Sequence, residues 1–241
     1  MDMKDMERQS LAALLACLAV ALLAAPAAAE DYPTLGWCTG NAVRLRDEPS
    51  TGKDSKIIGK VNDVDLLIVL GETSVDGDTW YEVERPKQKG TAWIFGKYVA
   101  TDEGDAVGTP AYDMAVRIRM TFGQTPEKAK ALLGKPRKET KGKFWFEPGA
   151  QNLTRAILEY PDFKLEYVQD QLRHVNVSGG MTPFGDIRIG DRMERVRDVL
   201  GPPSEEGNEG WSYEVSPVER ILFEERGGKV HMMTWDEYLD G

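Results

Sequence analysis

The sequence predicts a mainly β chain with an α+β second half: a small, strongly curved β-barrel followed by a duplicated α+β unit, each copy a short helix plus antiparallel sheet. Three observations carry this. Between Val43 and Tyr98, short apolar runs alternate with Gly, Pro and Asp turns, and aromatics close the last two runs. Residues 111–241 repeat themselves at a spacing of 67. An apolar run near the start belongs to neither part.

That first run reads as an export signal over residues 1–29. Lys4 and Arg8 precede an apolar stretch from Leu11 to Ala25, Pro26 breaks it, and Ala27-Ala28-Ala29 offers a small-x-small cleavage site before Glu30. Asp2, Asp5 and Glu7 dilute the positive leader, and a start at Met6 would drop two of them. A retained anchor helix is the alternative, although the run is short and alanine-rich for a membrane span. A lipobox at Leu14-Leu15-Ala16-Cys17 is another, although the apolar run continues past Cys17. Cleavage after Ala29 places the mature chain in the periplasm or outside the cell, with no stable membrane span.

Removing Lys4, Arg8, Asp2, Asp5 and Glu7 from 30 bases and 40 acids leaves 28 and 37. That acidic balance argues against nucleic acid and anionic membrane as main partners. Only Cys38 survives cleavage, so no internal disulfide is available and apolar cores must hold the fold. Beside Trp37, Cys38 reads as a small buried hydrophobe, with an intermolecular bridge as the alternative.

Residues 32–100 form the β module, and 101–110 (T-D-E-G-D-A-V-G-T-P) read as an acidic linker. Repeat one covers 111–180 and repeat two 181–241. Sliding by 67 lays Met120 on Ile187, Phe122 on Ile189, Gly123 on Gly190, Ala129 on Val196, Leu133 on Leu200 and Pro136 on Pro203. Each copy reads as a lead-in strand, a Gly, a short helix and L-G-x-P, followed by strands. Thr125 can cap the first helix with Pro126 behind it. Asp191 and Glu194 have capping-box spacing for the second. Gly134 and Gly201 suit the helix ends, and the prolines beyond forbid continuation. Strands are expected at Phe144–Phe146, Ala156–Tyr160, Phe163–Val168 and Leu172–Val177, then at Trp211–Val215, Arg220–Glu224 and Val230–Trp235.

The first module resembles the bacterial SH3-like family. The carrying residues are V-R-L-R-D-x-P-S-T from Val43 to Thr51, Ile58-Gly59, Val69 to Gly71, Gly77 with Trp80-Tyr81 and Val83, and G-x-A-W-I-F-G-K-Y from Gly90 to Tyr98. The resemblance implies a small, partly open SH3-like β-barrel with a binding role, as in modules that accompany cell-wall enzymes or hold wall peptides and proteins. No Cys/His peptidase domain follows here. Trp80, Tyr81, Trp93 and Tyr98 are candidates to stack on an extended peptide, with Asp47 and Glu48 to meet a cationic group. The other reading of the aromatics is barrel packing, and of the two acids a solvated loop. The repeats more faintly resemble the α+β fold of beta-lactamase inhibitor protein and of small lipoproteins of outer-membrane assembly, which implies protein binding on the sheet face.

Catalytic signatures are missing from the sequence. Two His and one mature Cys make no zinc set, and Asp76-Gly77-Asp78 is a turn, not a calcium loop. There is no G-x-S-x-G elbow and no phosphate-binding glycine loop. Lys135, Arg137, Lys138, Lys141 and Lys143 crowd one window, expected at the helix exit and first hairpin, where they suit an anionic partner or a plain solvated loop. The expectation is an exported, non-enzymatic adaptor of the cell envelope, without cofactor or metal, recognising a peptide, protein or peptidoglycan. The alternatives are an inhibitor of an envelope or secreted enzyme acting through the repeat face, and a wall-active enzyme whose site carries no known motif.

Overall fold

The computed structural model describes residues 32–239, apart from 64, 103–106, 148–149 and 181–183. The export signal expected at 1–29 lies outside the described residues. Residues 32–241 form one compact unit.

Seven short strands come first: β1 (Thr34–Cys38), β2 (Val43–Arg46), β3 (Ile57–Val61), β4 (Leu66–Val75), β5 (Asp78–Glu84), β6 (Thr91–Phe95) and, after a single 3-10 turn at Gly96–Tyr98, β7 (Val99–Thr101). They form one antiparallel sheet in the order β3-β2-β6-β5-β4-β1-β7. Cys38, Val43, Leu45, Val61, Leu67, Val69, Val83, Ala92 and Ile94 meet in a single buried cluster. Six strands feed that cluster, so the sheet curls around its own core, as the alternating short runs predict. Cys38 is buried there, and burial pushes its thiol pKa up, only partly offset by a hydrogen bond with the Gly40 backbone.

Three helices follow in the second half: α1 (Pro110–Phe122), α2 (Pro126–Leu133) and α3 (Met193–Leu200). Helix α1 replaces the lead-in strand expected around Met120. Thr109 caps it by accepting from the Tyr112 amide, Pro110 opens it, and Ala111, Met114, Ala115, Ile118 and Phe122 are buried at helical spacing. The equivalent stretch at Ile187–Ile189 forms no strand either. Helix α2 has the expected Thr125 cap, on the Lys128 amide, and the expected Pro126. The capping box expected at α3 does not form. Its N-cap is Arg192, without a side-chain bond, and Asp191 instead accepts from the Arg188 amide. Helices α2 and α3 end at Gly134 and Gly201, both at positive φ.

The remaining strands are β8 (Lys138–Phe146), β9 (Gln151–Glu159), β10 (Phe163–Val168), β11 (Gln171–Val177), β12 (Glu205–Gly207), β13 (Gly210–Ser216), β14 (Glu219–Arg226) and β15 (Lys229–Glu237). They make one antiparallel sheet in the order β12-β13-β14-β15-β11-β10-β9-β8. The two stretches join where β11 pairs with β15, Val175 opposite Trp235. Of the basic window, Lys135 and Arg137 lie at the exit of α2 and Lys138, Lys141 and Lys143 lie along β8, an edge strand of the first hairpin, as expected. On such an edge, lysines oppose pairing with a foreign strand.

Helices and both sheets share one core. Phe122, Leu158, Leu165, Tyr167, Val196, Phe223 and Trp235 are fully buried in it, and Leu35 and Ile68 of the barrel join it. Polar groups then pin the seam. The Tyr112 hydroxyl accepts from the Leu35 amide at 3.0 Å and bonds Thr34 Oγ1 at 3.0 Å. Lys128, 1% exposed, donates to the Arg85 and Gln88 carbonyls at 2.9 and 2.7 Å. The barrel is therefore seated on the helices, not loosely tethered.

Candidate functional site

Strand alternation sets up a site on the outside of the barrel. In β5 and β6, Val83, Ala92 and Ile94 turn into the barrel core, and Tyr81 packs against that core. Trp80 and Phe95, directly opposite each other, face the other way. Their ring centroids lie 5.2 Å apart at a tilt of 53°. Trp80 is only 3% exposed and belongs to neither hydrophobic core. It is buried as the floor of a surface pocket of about 360 Å³. The 3-10 turn after β6 brings Tyr98 to 6.3 Å from Phe95, edge to face. Lys97, from the same turn, lies 5.4 Å from the Phe95 ring centre and 4.8 Å from that of Tyr98.

The facing wall comes from β2. In V-R-L-R, Val43 and Leu45 enter the core, and Arg44 and Arg46 turn out to the pocket. Asn41, Ala42 and Thr51 complete the lining, and no carboxylate is among the lining residues. The pocket thus has an aromatic floor and a cationic wall.

Of the six candidate residues, the structure brings Trp80 and Tyr98 to this pocket. Tyr81 is half-buried on the inner side. Trp93 is half-buried between strands, opposite Glu82 on one side and Arg46 on the other, and does not line the pocket. Asp47 is exposed and accepts from the Lys56 amide at 2.7 Å, which closes the β2–β3 loop. Glu48 is exposed, and its carbonyl accepts from Ser55 Oγ at 3.3 Å. The sequence reading passed over Phe95, Lys97, Arg44 and Arg46. A signal existed, because strict alternation puts Phe95 on the Trp80 face and both arginines outside the barrel.

Residues 41–100 match the bacterial SH3 domain. This is a match to the family model over that segment. No curated protein and no solved structure matched the chain. The bacterial SH3 domain thus accounts for β2 to β7, and the pocket is built entirely from it.

Two larger cavities, of about 430 and 600 Å³, lie where the SH3 domain meets the helices and sheet. Both are walled by Arg119 and Glu237. Arg119 donates to Glu219 Oε1 at 2.5 Å and Glu237 Oε2 at 2.8 Å, and Trp235 Nε1 donates to Glu219 at 2.6 Å. Burial opposes the Arg119 charge, yet the two carboxylates outweigh it and hold its pKa above the usual guanidinium value. Arg173 of β11 also pairs with Glu237, so two cations balance the two carboxylates, and the cluster ties α1 to β11, β14 and β15. These charges are structural, which leaves the smaller pocket as the better ligand site. Among the described residues, no group of three or more His, Cys, Asp or Glu is placed to hold a metal ion, and no helix is long and apolar enough to cross a membrane.

Proposed function

We propose that this protein is a non-catalytic binding protein of the cell envelope, which holds a peptide, a protein or a wall component in the outer pocket of its SH3 domain. The observation that carries this is the aromatic floor: Trp80, a large apolar side chain, is buried under a surface pocket instead of in a core, with Phe95 and Tyr98 around it. Aromatic-lined grooves suit extended peptides, whose side chains and backbone can lie along the rings. The match to bacterial SH3 domains supports a wall- or peptide-binding role. The signal-like sequence at 1–29 supports export to the periplasm or beyond.

The test is co-sedimentation of purified residues 30–241 with peptidoglycan sacculi, beside capture of envelope peptides and proteins. Retention that is lost with Phe95→Ala or Tyr98→Ala, in variants with unchanged circular dichroism, supports the reading. Release of soluble muropeptides by the wild type would overturn the non-catalytic part.

A second reading, inhibition of an envelope or secreted enzyme, is favoured by the polar face of the eight-stranded sheet. Glu166, His174, Asp236 and Arg220 run across it on adjacent strands in register. Inhibition across a panel of envelope hydrolases, abolished by Arg220→Glu, would favour it.

A further inference from the structure

Three basic side chains are buried among the described residues: Arg46 at 8%, Arg119 at 3% and Lys128 at 1%. Arg119 has Glu219 and Glu237, and Lys128 has Glu84 at 3.0 Å. Arg46 has no carboxylate among the described residues. It donates only to the Ser55 carbonyl at 3.1 Å and to Ser55 Oγ at 3.4 Å. Burying a charge without a counter-ion is costly, and folded proteins either pair such a group or use it. Arg46 lines the pocket of the SH3 domain. Arg44 and Lys97, both exposed, add two further cations to the same wall, and neither forms an ion pair with a described residue. This happens in a chain whose net charge is −10, where acids outnumber bases by 40 to 30.

We infer that the pocket recognises a peptide carboxylate: Arg46 is its buried anchor, Arg44 and Lys97 its outer clamp, and the Trp80–Phe95 floor takes the apolar part of the same or the next residue. The inference rests on the pocket reading above and adds the charge of the ligand to it. The guanidinium of Arg46 still has donors beyond the nitrogen that bonds Ser55, and a planar fork matches a carboxylate. Lys97, resting over the two rings, can swing toward an arriving anion without losing a protein counter-ion. The acidic surface elsewhere repels unspecific anions, so selectivity comes from the pocket itself. A carboxylate of this kind is offered both by acidic protein segments and by the stem peptides of the wall.

The experiment uses residues 30–241 and fluorescein-labelled peptides followed by fluorescence anisotropy: acetyl-Gly-Glu-Phe-Glu-Gly-amide, the analogue with both Glu replaced by Gln, and the analogue with both replaced by Lys. A disaccharide-tetrapeptide muropeptide, with free or amidated carboxylates, forms the second arm. The expected result is binding of a free-carboxylate ligand about tenfold or more tighter than its amide form, weakening with added salt. Binding in the first arm assigns a protein segment as the carrier, and in the second the wall. Arg44→Gln and Lys97→Gln are at exposed positions and each reduce binding severalfold. Arg46→Met abolishes the preference for carboxylate while the domain stays folded, because a hydrophobe replaces an unpaired buried charge. Equal binding of acid and amide forms, lost with Phe95→Ala, would overturn the inference and leave the groove reading standing. Binding unaffected by Phe95→Ala would count against the groove reading itself. Failure of every free-carboxylate ligand to bind overturns the inference.

Discussion

The Lys128 ammonium lies 3.0 Å from the Glu84 carboxylate, so a helix of the second half carries the counter-ion of a barrel strand. The same ammonium donates to the Arg85 and Gln88 carbonyls. Thr125, the cap of that helix, donates to the Pro86 carbonyl at 3.3 Å. The β5–β6 hairpin is thus clasped by the first turn of α2. This hairpin also carries Trp80 and Phe95, which makes the clasp a support for the pocket floor.

Lys128→Ala should therefore cost about 3 kcal/mol, since it empties a buried site and strands a largely buried carboxylate and two carbonyls. Urea unfolding gives the number. Faster proteolysis between residues 85 and 90 gives the location. Lys128→Ala that unfolds like the wild type would contradict the clasp.

Glu84 supplies a pH signature. Burial raises its pKa above 4.5, and the Lys128 partner only partly offsets this. A raised folded-state pKa means that the folded protein holds the proton more tightly than the unfolded chain. Stability from this group is then present at low pH and is lost as pH rises above 4.5. Compared with Glu84→Gln, the wild type should lose relative stability as pH rises above 4.5. A stability difference that stays flat as pH is raised from below 4.5 to neutrality would show that Glu84 carries no such linkage.

Tyr112→Phe removes the hydroxyl that bonds Leu35 and Thr34 across the seam. It leaves the Leu35 amide without its acceptor in a buried place, at a cost of about 1–3 kcal/mol. Hydrogen exchange at Leu35 should accelerate more than exchange at Ile94, deep in the barrel core.

Two glycines separate backbone strain from crowding. At Gly210 (φ +147) an added Cβ would sit 2.0 Å from the Phe223 carbonyl oxygen, so Gly210→Ala should prevent β13–β14 pairing and yield insoluble protein. At Gly134 (φ +81, ψ −164) nothing lies within 4 Å, so Gly134→Ala should cost only the strain of a backbone region that residues with a Cβ avoid, about 1–3 kcal/mol. Soluble expression and thermal melting distinguish the two.

Much of this architecture was legible in advance, for definite reasons. Thr125-Pro126 and Gly134 announce α2 because caps and stops are local chemistry. Asp170 and Gly227-Gly228, all at positive φ, mark hairpin turns that composition reveals. Helix α1 went unread although Thr109-Pro110 repeats the same cap. Its start is set in an acidic, glycine-bearing stretch, and Met120 to Phe122 taken alone resemble a strand. At the pocket, alternation tells which way Arg46 and Trp80 point. It does not tell what covers them. Burial of Arg46 and Lys128 arises from segments distant in sequence, so both read as ordinary surface cations until the chain is folded.

The pairing of β11 with β15 has a bearing on how the molecule is made. The strand at the middle of the eight-stranded sheet is drawn from residues 229–237, so synthesis must pass residue 237 before the strands on its two sides can zip together. A premature stop codon that removes those nine residues would cut the centre out of the sheet, not trim its margin.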